Sequence, residues 1–210
     1  MIYGAHLHAI HRTSTRNAGQ GVQCLSMPYP SKTDRQTILA TAMEQVSKEG
    51  INKLAIRSVA ATLGLAPNAL YRYFANLAAL ESALADESRR RLLEVLQKAA
   101  GKKAPEQAIR SIAQAYVRFA REQPQVFALT LMPSASESDE DASHLQSWRF
   151  VLSHVARIYG DEKAPEAAVA LWAFLHGITA LEAAGVFGER KPASSFEFGL
   201  RMWISAAAKP

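Results

Sequence analysis

The sequence predicts an all-α protein, with a small N-terminal helical domain followed by a larger helical domain. Alanine occurs 38 times and glycine 11 times, and Leu is favoured over Ile and Val, preferences that suit helices better than strands. From residue 33 onward the apolar residues recur with the 3.6-residue period of a helix, and no alternating strand pattern persists. With 210 residues, of which 49% are hydrophobic and 20% charged, the chain can form a packed core, which excludes wholesale disorder.

Residues 1–32 are predicted to be a flexible N-terminal tail. Polar runs, glycines and the closely spaced Pro28 and Pro30 interrupt any helical period there. We hypothesise that translation starts at Met27, in which case residues 1–26 would be absent from the native protein. Three histidines at positions 6, 8 and 11 could bind a metal, but a tail without carboxylates makes chance spacing the favoured interpretation, so no metal and no cofactor is predicted.

The net charge of +5 is concentrated in the first 80 residues. Residues 1–32 contain three basic residues and no acidic one, and residues 33–80 contain five basic and three acidic residues. The remaining 130 residues are neutral overall, with 16 basic and 16 acidic side chains. This asymmetry predicts that the N-terminal part of the chain faces a polyanion.

The sequence also excludes several classes of protein. Cys24 is the single cysteine, which excludes a disulfide scaffold and any site built from cysteine ligands. No segment reaches the roughly 18 uninterrupted apolar residues of a membrane span, and the N-terminus has no apolar block typical of a signal peptide. We therefore expect a cytoplasmic protein without membrane contact.

Residues 33–81 are predicted to form a three-helix domain. The first helix begins near Thr33, has Asp34 in its first turn and ends before Gly50. A second helix over residues 56–63 is stopped by Gly64, and a third, over residues 67–74, begins with Pro67. Two short helices joined by a glycine turn are typical of a helix-turn-helix, a unit that binds DNA.

Residues 82–210 are predicted to form the larger domain. A fourth helix extends from Asn76 to about Ala100, and residues 89–91, all arginine, are expected on an ion-paired, solvated face. Further apolar stripes predict helices after Pro105, around residues 126–132, and over residues 143–159, 165–187 and 194–208. Residues 134–141 are polar and acidic, which indicates a solvated connection.

Residues 54–76, LAIRSVAATLGLAPNALYRYFAN, resemble the signature of the TetR family of bacterial transcriptional regulators, and the similarity spans residues 33–85. Residues 172–177, WAFLHG, are similar to the Trp-x-x-x-His-Gly feature of the WHG regulatory domain. The run YVRFA at residues 116–120, followed by Gln123 and Pro124, is similar to an earlier segment of that domain. The sequence departs from the family pattern at Ala55, Ala66 and Leu77, positions that often contact phosphates or cap the reading helix.

The resemblance implies that residues 67–74 read the major groove of DNA. Asn68 is suited to pair with adenine, Ala69 offers a methyl group to thymine, and Arg72 is suited to guanine or a phosphate. The hydroxyl groups of Tyr71 and Tyr73 suit phosphate oxygens. The complete predicted set is Arg57, Pro67, Asn68, Ala69, Tyr71, Arg72 and Tyr73.

The resemblance further implies a homodimer that binds a palindromic DNA operator and is released by a small molecule. The last two predicted helices are the candidate dimer surface. We expect a ligand cavity with an apolar lining, which favours a hydrophobic or aromatic effector. Its predicted ligand-binding residues are Tyr116, Phe119, Phe127, Trp148, Trp172 and His176, and Leu131, Val151 and Phe174 complete the expected lining.

Two competing interpretations remain at this point. An enzyme is not expected, because the sequence contains no glycine-rich phosphate loop, nucleophile elbow, metal-ligand pair or facing carboxylate motif. A small-molecule-binding or interaction module of the same fold that has lost DNA binding is the alternative, and Ala55, Ala66 and Leu77 favour it. We therefore expect a ligand-responsive repressor.

Overall fold

The computed structural model describes residues 33–132, 143–189 and 192–207, and these residues form helices and turns without a strand. The predicted tail, Cys24, the alternative start at Met27 and the polar loop over residues 134–141 lie outside the described residues. The helices are α1 (Arg35–Glu49), α2 (Ile56–Thr62), α3 (Pro67–Leu70), α4 (Leu77–Ala100), α5 (Pro105–Glu122), α6 (Pro124–Leu129), α7 (Ser143–Tyr159), α8 (Ala164–Ala183) and α9 (Ala193–Ala206), and a short 3₁₀ helix (Ile51–Lys53) follows α1.

Helices α1 to α4 surround one apolar core. The Asp34 side chain caps α1 by accepting a hydrogen bond from the Thr37 amide at 2.7 Å, and the α1 stripe that includes Ile38 and Val46 is fully buried. Leu70 and Phe74 from the α3 segment and Leu80 from α4 complete this core. The predicted arrangement of three helices is confirmed, although α3 ends at Leu70 and residues 71–73 form a turn.

Helix α4 is continuous across the predicted domain boundary at residues 81 and 82. Asn76 caps it as predicted, because its side chain accepts a hydrogen bond from the Ala79 amide at 2.8 Å. At 1.5 Å per residue, its 24 residues extend about 36 Å, and it packs on α1, α5, α6 and α7. The boundary itself stays a prediction, and α4 joins the two parts of the chain as one continuous helix.

Two of the three consecutive arginines on α4 lie where the sequence predicts. The Glu87 carboxylate accepts hydrogen bonds from Arg90 at 2.7 Å and from Arg91 at 2.8 Å. Burial alone would raise the pKa of Glu87, but these hydrogen bonds outweigh it and hold the pKa below the ordinary value. Arg90 and Arg91 therefore form the expected ion-paired face.

Arg89 contradicts the prediction of a solvated face, because only 7% of its surface is exposed. Its guanidinium donates to the Thr130 carbonyl at 3.0 Å and to the Asp86 carboxylate at 3.0 Å, and it also donates to the Met132 carbonyl. These carbonyls lie just beyond α6. Arg89 therefore ties α4 to the end of α6, a tertiary contact that helical periodicity does not reveal.

Helices α8 and α9 pack closely where Gly199 of α9 meets Phe174 of α8. The Trp203 indole donates a hydrogen bond to the Ala167 carbonyl at 3.0 Å and fixes the two helices further along. Among the described residues, α8 is the one helix long and apolar enough to cross a membrane, with a mean hydropathy of 1.3. A core helix of a soluble protein meets the same criterion, and α8 contacts α5, α7 and α9.

We predict that Gly199→Ala lowers the stability of the fold. The new methyl group would lie 2.5 Å from two atoms of the Phe174 ring, and this ring stacks on Phe196 with centroids 6.2 Å apart. Overpacking of this kind costs about 1 to 3 kcal/mol of unfolding free energy, which urea denaturation would measure.

Gly177→Ala in α8 is the matched control for Gly199→Ala. No neighbouring atom lies within 4 Å of the added methyl group at this helical position. Alanine is favoured over glycine in a helix by about 0.8 to 1.0 kcal/mol, so this variant is expected to be at least as stable as the unaltered chain. A Gly199→Ala variant of equal stability would contradict the close approach of the two helices.

Candidate nucleic-acid interface and apolar cavity

The segment around α3 separates its side chains into a buried set and an exposed set. Leu70 and Phe74 are buried in the core. Asn68, Tyr71 and Arg72 are exposed, and half of the Tyr71 surface is open to solvent. The exposed set can therefore reach a ligand outside the protein without any rearrangement of the core.

The turn between α2 and α3 fixes the direction in which α3 projects. Gly64 adopts a φ of 66°, a left-handed conformation that glycine tolerates and other residues rarely adopt. The next amide, of Leu65, then donates to the Ala60 carbonyl at 2.9 Å and closes the end of α2. Pro67 and Ala69, which flank Asn68, are half-buried at the start of α3. These two predicted DNA-binding residues are therefore partly covered by the protein.

Helix α2 is held against α1 by a side-chain bridge. The Gln45 amide of α1 donates to the Thr62 hydroxyl at 2.9 Å, and the Ser58 hydroxyl donates to the Gln45 carbonyl oxygen at 3.0 Å. Arg57 is exposed on α2. The bridge therefore holds α2, and with it the Arg57 backbone, against α1. The Arg57 side chain remains open to solvent.

Tyr73 also makes a hydrogen bond within the protein that the sequence does not indicate. Its side chain is half-buried, and its hydroxyl donates a hydrogen bond to the Thr33 carbonyl at 2.8 Å. Contact between this hydroxyl and a phosphate stays a prediction, and donation to a phosphate would require the bond to Thr33 to be exchanged. The bond joins the end of the α3 segment to the start of α1.

Sequence reasoning missed Arg35 as a neighbour of the exposed set. Its guanidinium lies 4.7 Å from the centroid of the Phe74 ring, within the distance of a cation–π contact. Arg35 counts toward the basic excess of residues 33–80, but only the fold shows that it lies beside the α3 segment. The N-caps of α2 and α3 are Ala55 and Ala66, whose side chains accept no hydrogen bond, as expected from the departures at these positions.

A cavity of about 620 Å³ opens between α5, α6 and α8. Most of its lining is apolar, and its polar groups are His176, Thr179 and an ion pair in which Arg121 donates to the Glu182 carboxylate at 2.8 Å. The apolar lining residues are Ala120, Pro124, Phe127, Ala128, Leu131, Ala180 and Ala183.

An aromatic cluster adjoins this cavity through Phe127 and His176. The Phe127 ring stacks on His176 with centroids 5.8 Å apart, and Tyr116 meets Phe127 edge-on at 5.2 Å. The Tyr116 hydroxyl lies 3.4 Å from Nδ1 of His176. Burial raises the pKa of Tyr116 to about 12, although a hydrogen bond with Trp172 acts in the opposite direction, so Tyr116 is neutral and offers a hydroxyl group at neutral pH.

The structure brings together part of the predicted ligand-binding set. Phe127, His176 and Leu131 line the cavity. Tyr116 and Phe119 are buried and pack on Phe127. The other predicted residues do not line the cavity: Trp148, Val151 and Phe174 are half-buried against the core. Trp172 is 49% exposed on α8, although it forms a hydrogen bond with the buried Tyr116.

Both parts of the chain match models of one protein family. Residues 38–84 match the model of bacterial regulatory proteins of the tetR family, and residues 109–203 match the tetracyclin repressor-like C-terminal domain. The chain belongs to the TetR family. The second match is consistent with a WHG-type C-terminal domain, and the TetR-family assignment makes the α1–α4 unit a DNA-binding helix-turn-helix of a transcriptional regulator.

Relatives and solved structures agree with this TetR-family assignment. The HTH-type transcriptional regulator Rv0681 of Mycobacterium tuberculosis is 28% identical over 175 residues, which are 82% of this chain and 79% of that protein. A structure from Rhodococcus sp. RHA1 has a TM-score of 0.73 and 25% identity, and covers 87% of this chain and 100% of that one. A TetR variant of Acinetobacter baumannii, solved in complex with minocycline, has a TM-score of 0.62 and 19% identity, and covers 83% of this chain and 96% of that one; this likeness shows the shared fold.

We predict that Tyr73→Phe destabilises the fold whereas Tyr71→Phe does not. The first change removes the hydroxyl that donates to the Thr33 carbonyl, and a net hydrogen bond contributes about 0.5 to 1.5 kcal/mol to unfolding free energy. The second removes a hydroxyl from a side chain that is 50% exposed. Urea denaturation of the two variants should show a lower midpoint for Tyr73→Phe alone, and equal midpoints would contradict this role of Tyr73.

Proposed function

We propose that this TetR-family regulator is a ligand-responsive repressor that binds a palindromic operator as a homodimer and is released by a small apolar effector. The observation that carries the proposal is the division of the α3 segment, in which Leu70 and Phe74 are buried while Asn68, Tyr71 and Arg72 are exposed. We further propose that it acts in the cytoplasm and has no enzymatic activity.

In this proposal α3 enters the major groove of DNA. The groove is about 12 Å wide and admits one helix, whose N-terminal residues contact the base edges. Asn68 lies at the second position of α3 and offers an amide that suits adenine, while Ala69 presents a methyl group suited to thymine. Arg57, Tyr71 and Arg72 are exposed and would bind phosphates or neighbouring bases, with Pro67 and Tyr73 at the margins of the contact.

Exposed apolar side chains on α8 and α9 support a homodimer. Trp172 on α8 is 49% exposed, and Phe198 and Met202 on α9 are 59% and 60% exposed. Phe198 and Met202 are four residues apart and therefore share one face of α9. Within the predicted dimer surface, Leu171, Leu175 and Ile178 are buried inside the protomer, so the surface offered to a second copy is narrower than the sequence indicates.

The cavity supports release by an effector. Helix α6 provides Phe127, Ala128 and part of the cavity wall, and the same helix packs on α1 and α4. Arg89 joins α4 to the two carbonyls that follow α6. An effector that binds one position of α6 better than another would shift α1 and α4 and change the separation of the two reading helices.

We predict that Arg57→Ala and Tyr71→Phe each weaken operator binding without unfolding the chain. Both side chains are exposed, and loss of a specific DNA contact costs about 1 to 3 kcal/mol of binding free energy. Gel-shift titration with the DNA that flanks the gene would measure this loss. Arg118→Ala is the matched control, because this arginine is exposed on α5 outside the helix-turn-helix.

Unchanged affinity of both reading variants would refute the DNA assignment. It would favour the alternative, an effector-binding or interaction module that has lost DNA binding. A steep linear fall of log affinity against log salt in the unaltered chain is the accompanying signature of phosphate contacts.

We predict that Phe198→Glu disrupts the dimer and weakens operator binding as a consequence. A charge in the centre of an apolar interface is destabilising because the carboxylate loses its hydration. Tyr71→Glu is the matched control, since Tyr71 is 50% exposed but lies on the α3 segment. Sedimentation analysis should show a monomer for Phe198→Glu and a dimer for Tyr71→Glu, and a Phe198→Glu dimer would contradict the proposed surface.

A further inference from the structure

The charges that line the cavity between α5, α6 and α8 balance one another. Among the described residues, Arg121 and Glu182 are the charged members of the lining, and they are paired with each other at 2.8 Å. A charged ligand would lose its hydration in this cavity without meeting an unpaired opposite charge, which is unfavourable. The cavity is therefore suited to a molecule without net charge.

The hydrogen bonds around Tyr116 determine which nitrogen of His176 carries a proton. The Tyr116 side chain is buried, so its hydroxyl proton needs an acceptor inside the protein. Within the described part of the chain, this hydroxyl has two hydrogen-bonding neighbours, the Trp172 indole and Nδ1 of His176, the latter at 3.4 Å. An indole only donates, so the Tyr116 proton is donated to Nδ1. The neutral imidazole of His176 therefore carries its own proton on Nε2.

The Nε2 atom of His176 is available to a ligand. No residue in the ranges 33–132, 143–189 and 192–207 forms a hydrogen bond with this atom. Every buried side-chain nitrogen or oxygen in those ranges does have a partner, so Nε2 is accessible from outside the packed core. Because His176 lines the cavity, we place Nε2 in it, where it offers one N–H donor.

Thr179 provides the complementary group one turn further along α8. Its hydroxyl donates a hydrogen bond to the His176 carbonyl at 2.8 Å, which uses its single proton and leaves the oxygen as an acceptor. Thr179 also lines the cavity. Residues three apart lie on the same face of a helix, so His176 and Thr179 present a donor and an acceptor next to each other.

We infer that the cavity selects an uncharged phenol, whose hydroxyl oxygen accepts a hydrogen bond from Nε2 of His176 and whose proton is donated to Thr179. This inference rests on the proposed effector binding and names the class of compound that the site takes. A hydroxyl group both accepts and donates, whereas an ether only accepts. The phenol ring would pack on Phe127, which already stacks on His176 with centroids 5.8 Å apart. The volume of about 620 Å³ is within the range of small-molecule sites.

The test uses naphthalenes that differ in one substituent at the same ring position: hydroxyl, methoxy, carboxylate or aminomethyl. At neutral pH the first two are uncharged, the third is an anion and the fourth is a cation, and naphthalene itself measures the apolar contribution. Calorimetric titration of the full 210-residue chain would give each affinity. We expect the hydroxyl compound to bind about 2- to 10-fold more tightly than the methoxy compound, and both charged compounds to bind more weakly than either.

Two variants assign the contributions of the individual side chains. His176→Phe retains a ring beside Phe127 but removes Nε2, so the preference for the hydroxyl compound over naphthalene should disappear while naphthalene binds as before. Thr179→Val removes the acceptor and should abolish only the preference for hydroxyl over methoxy. His154→Phe is the matched control, because this histidine packs on Phe150 of α7 with centroids 4.5 Å apart and lies outside the cavity lining.

The position of the proton on His176 is tested on the chain without any ligand. Heteronuclear NMR distinguishes a protonated ring nitrogen from an unprotonated one by its chemical shift. At alkaline pH, where imidazole is neutral, we expect a proton on Nε2 and none on Nδ1. Tyr116→Phe removes the donor to Nδ1 and should produce a mixture of the two tautomers. A proton held on Nδ1 in the unaltered chain would overturn the inference, whether or not any variant folds.

The outcomes separate the ligand class from the proposed function. Equal binding of the hydroxyl and methoxy compounds, tightest binding of a charged compound, or no binding of the hydroxyl compound each overturns the inference. Release of a DNA duplex selected by the unaltered chain is measured separately, by fluorescence anisotropy with and without the hydroxyl compound. If this compound binds with the expected preference but the duplex stays bound, or if selection enriches no DNA sequence, the proposed repressor mechanism fails while the ligand class is supported.

Discussion

The fold depends on the burial of two side chains at the end of the helix-turn-helix, Leu70 and Phe74. Helix α3 is a single turn of four residues, and a helix this short is unstable in isolation because nucleation is unfavourable. Its stability must come from tertiary packing, and burial of a large apolar side chain contributes about 1.5 to 3 kcal/mol. The same burial leaves Asn68, Tyr71 and Arg72 on the outer surface, so packing and recognition are two consequences of one arrangement.

The proposed link between sensing and reading also follows from shared packing. Helix α6 is six residues long, and it contributes to the cavity, to the contact with α1 and to the contact with α4. The buried Ser88 hydroxyl of α4 donates to the Val126 carbonyl at 2.6 Å, and Arg89 holds the carbonyls just beyond this helix. A displacement of α6 therefore cannot leave α4 unchanged, which is the physical basis proposed for effector release.

The sequence predicts the helices and the direction of the α3 side chains well, because both depend on local periodicity. The spacing of Leu70 and Phe74 and the position of Gly64 are sufficient to assign the turn and the buried face. The role of Arg89 was not predictable, since a buried arginine depends on carbonyls that lie about 40 residues further along the chain. The cavity was predicted only in part for the same reason: Phe127 and His176 line it, whereas Trp148 does not, and Trp172 instead forms a hydrogen bond with the buried Tyr116.

The most direct test of the account is the base preference of a variant at Asn68, the second residue of α3. Selection of binding sites from a random DNA pool would be performed with the unaltered chain and with Asn68→Ala. The account predicts two symmetric half-sites for both proteins, with base preference lost at one corresponding position of each half-site in the variant. An identical set of selected sequences for the two proteins would contradict the central claim that the exposed face of α3 reads DNA.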